Sequence, residues 1–360
     1  MTGDRRGGGL SAAAPLLMVL TLLLGIGGIA VVVERGMALP GQRVEQTFVA
    51  PPPPPPPLDA AAIAAATAPV LVNISATGDG PTAHGTGIVL TPDGEVLTSH
   101  HVIKGARDVR AVAVGAGAEF DADVLGYDTS KDIALLRLRA ASGLAAAKLG
   151  PAVRIGEELL AAGNAGGAGG APTTVTGFVR ELDASIVARN DADFSRNVLR
   201  GLIAVEAPVS HGHSGGPMVN SRAEVVAMTA AATLPEGDAA PASRGYAIPI
   251  EAAMAVVAQI RSGRGTDTVH VGPTANLGVI ASDGDGAVRV EVVMYGTPAY
   301  RAGMRAKDVL AVLDGQRVES VKALRALLSG KRPGDVVRVQ WTDAAGAAQS
   351  AEVTLAEGTP

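Results

Sequence analysis

The residues best suited to chemistry lie in His211-Gly212-His213-Ser214-Gly215-Gly216-Pro217, where a serine hydroxyl sits among glycines. Glycine lets a backbone turn tightly and come close to a reacting group without a Cβ in the way. N–H groups in such a loop can therefore point at the O⁻ that develops when a carbonyl is attacked. Ser214 is the candidate nucleophile, and Gly212 and Ser214 are the candidate backbone oxyanion donors. Glycine-flanked serines also occupy many ordinary loops, so the motif carries weight only with partners. A serine hydroxyl is a poor nucleophile near neutral pH; it needs an adjacent base, and the base needs an acceptor to orient it. His101, in Leu97-Thr98-Ser99-His100-His101-Val102-Ile103, and Asp132, in Lys131-Asp132-Ile133-Ala134-Leu135-Leu136, are the candidates for those two parts.

Composition narrows the field. The chain has 360 residues, 47% of them apolar, enough for about two domains with real cores. The net charge of −5 comes from scattered acids and bases, with a single tryptophan and no basic stripe, which argues against a nucleic-acid partner. The absence of cysteine excludes a disulfide scaffold, thiolate catalysis and cysteine-based zinc sites. The expectation is a protein that needs no cofactor and holds no metal. The one metal alternative is zinc on His211, His213 and His100, since the first two fall on one side of an extended segment.

Leu10 to Val33 is an uncharged apolar run preceded by Arg5 and Arg6 and followed by Glu34. A spanning helix needs about 20 apolar residues, whereas a cleaved signal has a core of only about 7 to 15. Length favours a retained transmembrane helix over residues 10–33, with residues 1–9 in the cytoplasm and the remainder outside. The competing reading is a signal peptide cleaved after Ala38, which gives a secreted protein. Residues 34–59 read as a linker containing seven consecutive prolines, Pro51 to Pro57. These form a stiff polyproline spacer of roughly 20 Å, a plain disordered linker, or a ligand for a partner domain.

Residues 60–261 are mostly β, short strands broken by turn signals, as in two packed sheets or barrels. Thr86 to Leu90, Pro92-Asp93-Gly94 and Glu95 to Thr98 make a hairpin that delivers His101. Further strands are expected at Val109–Val114, Ile133–Leu138, Leu159–Ala162, Leu202–Val205 and Val225–Met228, and a closing helix over Glu251–Ile260. Asn164 to Gly170 is glycine-rich without the Lys-Ser/Thr ending of a phosphate loop, and reads as a mobile loop near the site. After a linker at 262–270 comes a second, α+β domain at 271–357. It has strands at Val288–Val293, Val336–Trp341 and Glu352–Leu355 and a helix over Val321–Leu328.

The order His101, Asp132, Ser214 is that of chymotrypsin-type proteases and differs from subtilisins and α/β-hydrolases. With their local contexts, and with Thr86-Gly87-Ile88-Val89, Ala162-Gly163-Asn164 and Gly245-Tyr246-Ala247-Ile248-Pro249, they resemble the HtrA (Deg) family of trypsin-like proteases over about residues 68 to 356. The likeness is greatest to the short, single-PDZ actinobacterial members. The resemblance implies a chymotrypsin-like double β-barrel followed by a PDZ domain. It implies a serine endopeptidase of envelope protein quality control, with Ser214 as nucleophile, His101 as base and Asp132 as its orienting acid. Unfolded or misfolded proteins are then the substrates. Relatives are often trimers, which implies a homo-oligomer, although no trimerisation segment is legible.

Two departures stand out: His211 and His213 where relatives usually carry Pro and Asn or Asp, and His100 where they often carry Asn or Ala. They put the shape of the oxyanion loop at issue and suggest a pH dependence below neutrality. The base of the S1 pocket falls at Pro208, six residues before the serine, with Thr229, Ala230 and Ala231 on the wall strand. No carboxylate is there to receive a basic residue, so cleavage after small or medium apolar residues is expected. In the second domain Asn276-Leu277-Gly278-Val279-Ile280 resembles a PDZ carboxylate-binding loop, supported by Gly296-Thr297-Pro298-Ala299, Ala302-Gly303-Met304, Asp314-Gly315 and Pro333-Gly334-Asp335. Lys307-Asp308 stands where the usual Gly-Asp falls. Leu277, Gly278, Val279 and Ile280, with Leu324 and Leu328, either line a pocket for peptide C-termini or serve as core. The rival class to an enzyme is a proteolytically silent binder or chaperone, its barrel distorted around His211 and His213.

Overall fold

A computed structural model describes residues 57–189, 196–233, 243–284 and 286–360. The apolar run at 10–33 and most of the proline-rich stretch lie outside the described residues, as does the side chain of Ala231. No helix among the described residues is long and apolar enough to cross a membrane.

A helix that the sequence reading did not separate from the strands opens the described chain. In α1 (Ala60–Thr67) Asp59 caps the first turn, its carboxylate accepting from Ala62 N at 3.1 Å. Strands β1 (Leu71–Gly78), β2 (Ala83–Val89), β3 (Glu95–Thr98), β4 (Ala106–Ala113), β5 (Glu119–Asp128) and β6 (Ile133–Leu138) follow in an antiparallel sheet. Pairing of β5 with β6 closes it on itself. The expected hairpin is β2–β3, with Ile88 opposite Leu97. A second closed barrel contains β7 (Glu158–Gly163), β8 (Thr173–Arg189), β9 (Arg196–Glu206), β10 (Pro217–Val219), β11 (Val225–Thr233) and β12 (Arg244–Pro249).

The alternating faces of a strand explain the continuous apolar runs. In β6, Ala134, Leu136 and Leu138 fill the first barrel with Val72, Ile74 and Val96. Ile133 and Leu135 face the other way, into the core shared by the two barrels, with Leu71, Ile88, Leu97, Leu160, Leu202 and Met228. Each fully buried aliphatic side chain there contributes about 1.5–3 kcal/mol of transfer free energy. This shared core is the seam along which the candidate residues lie.

Helix α2 (His100–Ile103) is a single turn after β3. The closing helix is α3 (Ile250–Arg261), which lays Ile250, Ala253, Val256, Val257 and Ile260 on the shared core. Its last residue, Arg261, donates through Nε to Glu95 Oε2 at 2.8 Å, and Arg137 donates to Glu95 Oε1 at 2.7 Å. One largely buried carboxylate thus ties the helix to the first barrel.

The segment expected as a linker ends in a strand. β13 (Val269–Val271) pairs antiparallel with the end of β5, Val269 opposite Asp128 and Val271 opposite Gly126. Beyond it, β15 (Val279–Gly284), β16 (Ala287–Val293), β17 (Val309–Leu313), β19 (Val336–Thr342) and β20 (Ala348–Thr354) form a sheet in that order, with β18 (Gln316–Arg317) on β17. β14 (Ala275–Asn276) pairs with β21 (Ala356–Glu357). Two helices, α4 (Pro298–Arg301) and α5 (Val321–Ser329), complete the domain. Lys307 has φ +77°, so it makes the left-handed turn for which a glycine would be the ordinary choice.

Glu95→Gln keeps the shape but removes the charge that two arginines share. It is expected to lower unfolding free energy by about 1–3 kcal/mol, the range for an unpaired, partly buried charged contact, as read from chemical denaturation.

Candidate active site

Three segments meet at the seam. The first carries His101. Its ring Nδ1 lies 2.7 Å from Asp132 Oδ2, and its backbone N donates to Asp132 Oδ1 at 2.9 Å. Asp132 precedes β6 with φ +58°, a left-handed conformation that aspartate tolerates better than most residues. That turn lets one residue serve α2 twice: its carboxylate holds His101, while its carbonyl accepts from His100 N at 3.2 Å. The Asp132 side chain is 8% exposed and that of His101 is 36% exposed, so the ring stays open to solvent while its partner is shielded. Burial on its own pushes the His101 ring toward neutrality, with Lys104 adding to that. The charge and hydrogen bond of Asp132 outweigh both, so the pKa rises above the ordinary imidazole range.

The second segment carries Ser214. Its carbonyl accepts from Thr86 N at 2.9 Å. Gly215, next in the chain, donates to Thr229 O at 2.8 Å and has φ +80°. A Cβ there would collide with Thr86 O and Thr98 Oγ1, and would sit 3.0 Å from Ser99 N, two residues before His101. Glycine is thus needed for the close approach that brings the serine loop against the histidine segment. Among the described residues no hydrogen bond joins Ser214 Oγ to the His101 ring, a looseness common before substrate binds.

The third segment is the glycine-rich one. Gly166 N donates to His211 O at 2.9 Å, and Asn164 N donates to Thr86 Oγ1 at 2.8 Å. Thr86 Oγ1 in turn donates to Gly212 O at 2.7 Å. In a planar trans peptide the C=O and the following N–H point in opposite directions, so tying His211 O to Gly166 turns the Gly212 N–H away from that loop. Among the described residues no hydrogen bond consumes the N–H of Gly212 or of Ser214. Two backbone donors of the serine loop are therefore left without an internal partner.

His213 is 1% exposed, so it does not face a substrate. Its Nδ1 lies 3.3 Å from both N and Oγ of Ser210, and its Nε2 lies 3.4 Å from Thr173 Oγ1. Burial pushes its pKa down, against smaller opposing effects from the backbone contacts at Ser210 and Thr173. It is a neutral internal strut of the 210–214 loop. His211 is exposed, and His100 is buried against Tyr127. Among the described residues no group of three His, Asp or Glu side chains is placed to hold a metal ion.

The expected S1 residues are scattered in environment. Pro208 is exposed, Thr229 is buried with Oγ1 lacking a partner, and Ala230 packs in the shared core. In the second domain Leu277 and Leu324 are core residues, Val279 and Leu328 are half-buried, and Ile280 is 55% exposed. Gly278 has φ +89°, and its N–H donates to Asn276 Oδ1 at 2.8 Å. β15 is an edge strand with α5 beside it, the arrangement in which a peptide can add as a further strand. Sequence reasoning missed Thr86, Thr173 and Asn164 as braces of the site, although Thr86 and Asn164 lie in the motifs it singled out.

Two closed barrels with a His–Asp pair and a glycine-held serine on their seam, followed by a sheet with a peptide-sized open edge, define a trypsin-like serine peptidase fold carrying one PDZ domain. Residues 85–228 match the Trypsin-like peptidase domain family, and residues 275–355 match the PDZ domain family. The chain belongs to the HtrA/DegP family. It is 30% identical over 311 residues to the serine protease PepD of Mycobacterium tuberculosis, covering 81% of this chain and 65% of that protein. It is 31% identical over 270 residues to a DegP-like periplasmic serine endoprotease of Rhizobium meliloti, covering 72% of this chain and 50% of that protein. The chain therefore spans about half to two thirds of the length of these relatives. Among solved structures, the serine endoprotease from Yersinia pestis superposes with TM-score 0.46 at 23% identity, over 82% of this chain and 97% of that one.

A buried imidazole with a lowered pKa stabilises its loop above the ordinary histidine range and loses that contribution as pH falls and the ring takes up a proton. His101, with its raised pKa, sets where the acid limb begins, and protonation of His213 adds a second fall at lower pH. His213→Asn is therefore expected to make the low-pH end of the profile of Ser214 reactivity less steep, and an unchanged profile removes His213 as the source of that second fall.

Proposed function

We propose that this chain is a membrane-tethered, extracytoplasmic serine endopeptidase that cleaves unfolded or misfolded envelope proteins. The carrying observation is the His101–Asp132 pair on a seam where Ser214 is held beside two unengaged backbone N–H groups. Ser214 Oγ attacks the peptide carbonyl while His101 Nε2 takes its proton. Asp132 keeps Nδ1 protonated and stabilises the imidazolium, and the N–H groups of Gly212 and Ser214 receive the oxyanion. His101 then returns the proton to the leaving amine, and water repeats the sequence on the acyl-enzyme.

Location outside the cytoplasm is supported by the apolar run at 10–33 behind Arg5 and Arg6, and by the periplasmic assignment of DegP-like relatives. Cleavage after small or medium apolar residues is supported by the absence of a carboxylate at Pro208. Capture of peptide C-termini is supported by the open edge of β15 beside Leu328. A homotrimer is the assembly proposed, on the family's habit.

A fluorophosphonate is expected to label the purified chain, with Ser214→Ala unlabelled. A folded chain that takes no label at any pH supports the PDZ-containing binder instead. Peptide substrates with Ala, Val or Leu at P1 are expected to outpace Arg or Lys, and robust cleavage after Arg or Lys refutes the pocket assignment. Because the raised pKa of His101 must be passed before the ring acts as a base, kcat/KM rises with pH and its acid limb lies above the ordinary imidazole range. Asp132→Asn, which keeps the tolerance for positive φ but loses the charge, is expected to lower kcat by about 10⁴-fold.

A further inference from the structure

The mechanism leaves a group of stacked rings unused. His100 lies on Tyr127 with centroids 4.7 Å apart and planes at 26°, and Tyr127 lies on His270 at 5.0 Å and 30°. The rings come from α2, β5 and β13, and all three residues are at most 8% exposed. At one end His270 faces the PDZ domain. Its Nδ1 lies 3.1 Å from the carbonyl oxygen of Ser329, the last residue of α5, and its Nε2 lies 2.9 Å from that of Gly272. Carbonyls only accept, so a ring with two protons makes both bonds and a ring with one makes a single bond. Tyr127 Oη adds a contact to Thr274 Oγ1 at 3.2 Å. At the other end His100 N donates to Asp132 O, in the residue whose carboxylate holds His101.

The His100 ring is held by packing, with the face of Tyr127 against it. Nε2 is buried without a partner. Burial above all, against the pull of Asp132, lowers its pKa to about 4, so the ring is neutral. For a neutral ring with an orphaned nitrogen, the aromatic face it lies on contributes about 0.5–1.5 kcal/mol to its placement beyond ordinary burial. The ionisable groups around the stack and dyad are Asp128 at the end of β5, Asp132 before β6, Lys104 after α2 and His270 on β13.

We propose that Tyr127 is a positioning residue for the His101–Asp132 dyad, transmitting to it, through the His100–Tyr127–His270 stack, the placement of the last turn of the PDZ helix α5. This rests on the reading of His101 and Asp132 as base and orienting acid. Leu328, beside the groove at which a peptide would dock, immediately precedes Ser329, so one helical turn serves both the groove and the stack.

The test is a double-mutant cycle in the full chain: Tyr127→Leu, His270→Gln and the pair, with Tyr127→Phe as the ring-keeping control. kcat and KM are measured across pH on a peptide too short to reach the PDZ domain, together with fluorophosphonate labelling. Tyr127→Leu is expected to lower kcat about two- to thirtyfold with KM unchanged. Its acid limb moves to lower pH as Asp132 loosens its hold on His101. Tyr127→Phe stays near the parent, His270→Gln shifts kcat and the limb in the direction of Tyr127→Leu, and the double variant is no worse than Tyr127→Leu. Additive losses, or an unmoved kcat and acid limb, overturn the proposal. If Tyr127→Leu does not fold, His270→Gln decides alone by the same two readouts. An unlabelled parent overturns the catalytic reading and this proposal with it, whereas a labelled parent with unaltered variants overturns this proposal only.

Discussion

Thr86 is the point on which the site depends. From the first barrel it reaches three residues of the second: its N–H holds Ser214 O, and its hydroxyl accepts from Asn164 N and donates to Gly212 O. Within its own barrel its carbonyl accepts from Thr98 Oγ1 at 2.7 Å. The side chain is fully buried, so these bonds are made away from water, where leaving one unmade costs about 1–3 kcal/mol. The serine loop and the glycine-rich loop belong to the second barrel, yet their register against the histidine is set by a residue of the first. Two barrels that met only through aliphatic side chains could slide by fractions of an ångström; a fully satisfied polar node does not slide.

Around that node the imidazoles differ in environment, not in type. His101 keeps access to solvent and a buried carboxylate, and its pKa rises. His100, next to it in sequence, is buried against an aromatic face, and its pKa falls to about 4. His213 is buried among hydroxyls and backbone, and its pKa falls as well. A neutral His213 can brace the 210–214 loop without placing a buried charge there, as an aspartate at that position would.

Much of this was legible in the sequence, for definite reasons. The Ile133–Leu138 strand reads clearly because both its faces are buried in different cores, and the β2–β3 hairpin because Pro92-Asp93-Gly94 leaves the chain no other course. The candidate triad was readable because glycine, histidine and aspartate each stand in a distinctive local context. The bracing was not. Thr86 and Gly212 are 126 residues apart, and Thr86 and Asn164 are 78 apart, so a side-chain-to-backbone bond between them leaves no periodicity to find. β13 was hidden because three residues are too few for an alternation to register, and α1 because an alanine-rich stretch has almost no polar face to mark it. Ala230 was expected in a pocket wall and lies in the shared core, since strand alternation assigns a face but not which of two buried compartments that face meets.

β13 has one more consequence. The first half of β5 pairs with β4 and the last three residues, Gly126 to Asp128, pair with β13, so the strand is covered along that side by two different parts of the chain. A protease domain cut free after the closing helix would present the end of β5 as a bare row of amides and carbonyls, a template for another chain to dock upon. The boundary between the two domains in sequence is thus not a boundary in hydrogen bonding: the peptidase is finished by residues that lead into its neighbour, and the natural place to divide this molecule lies beyond Val271.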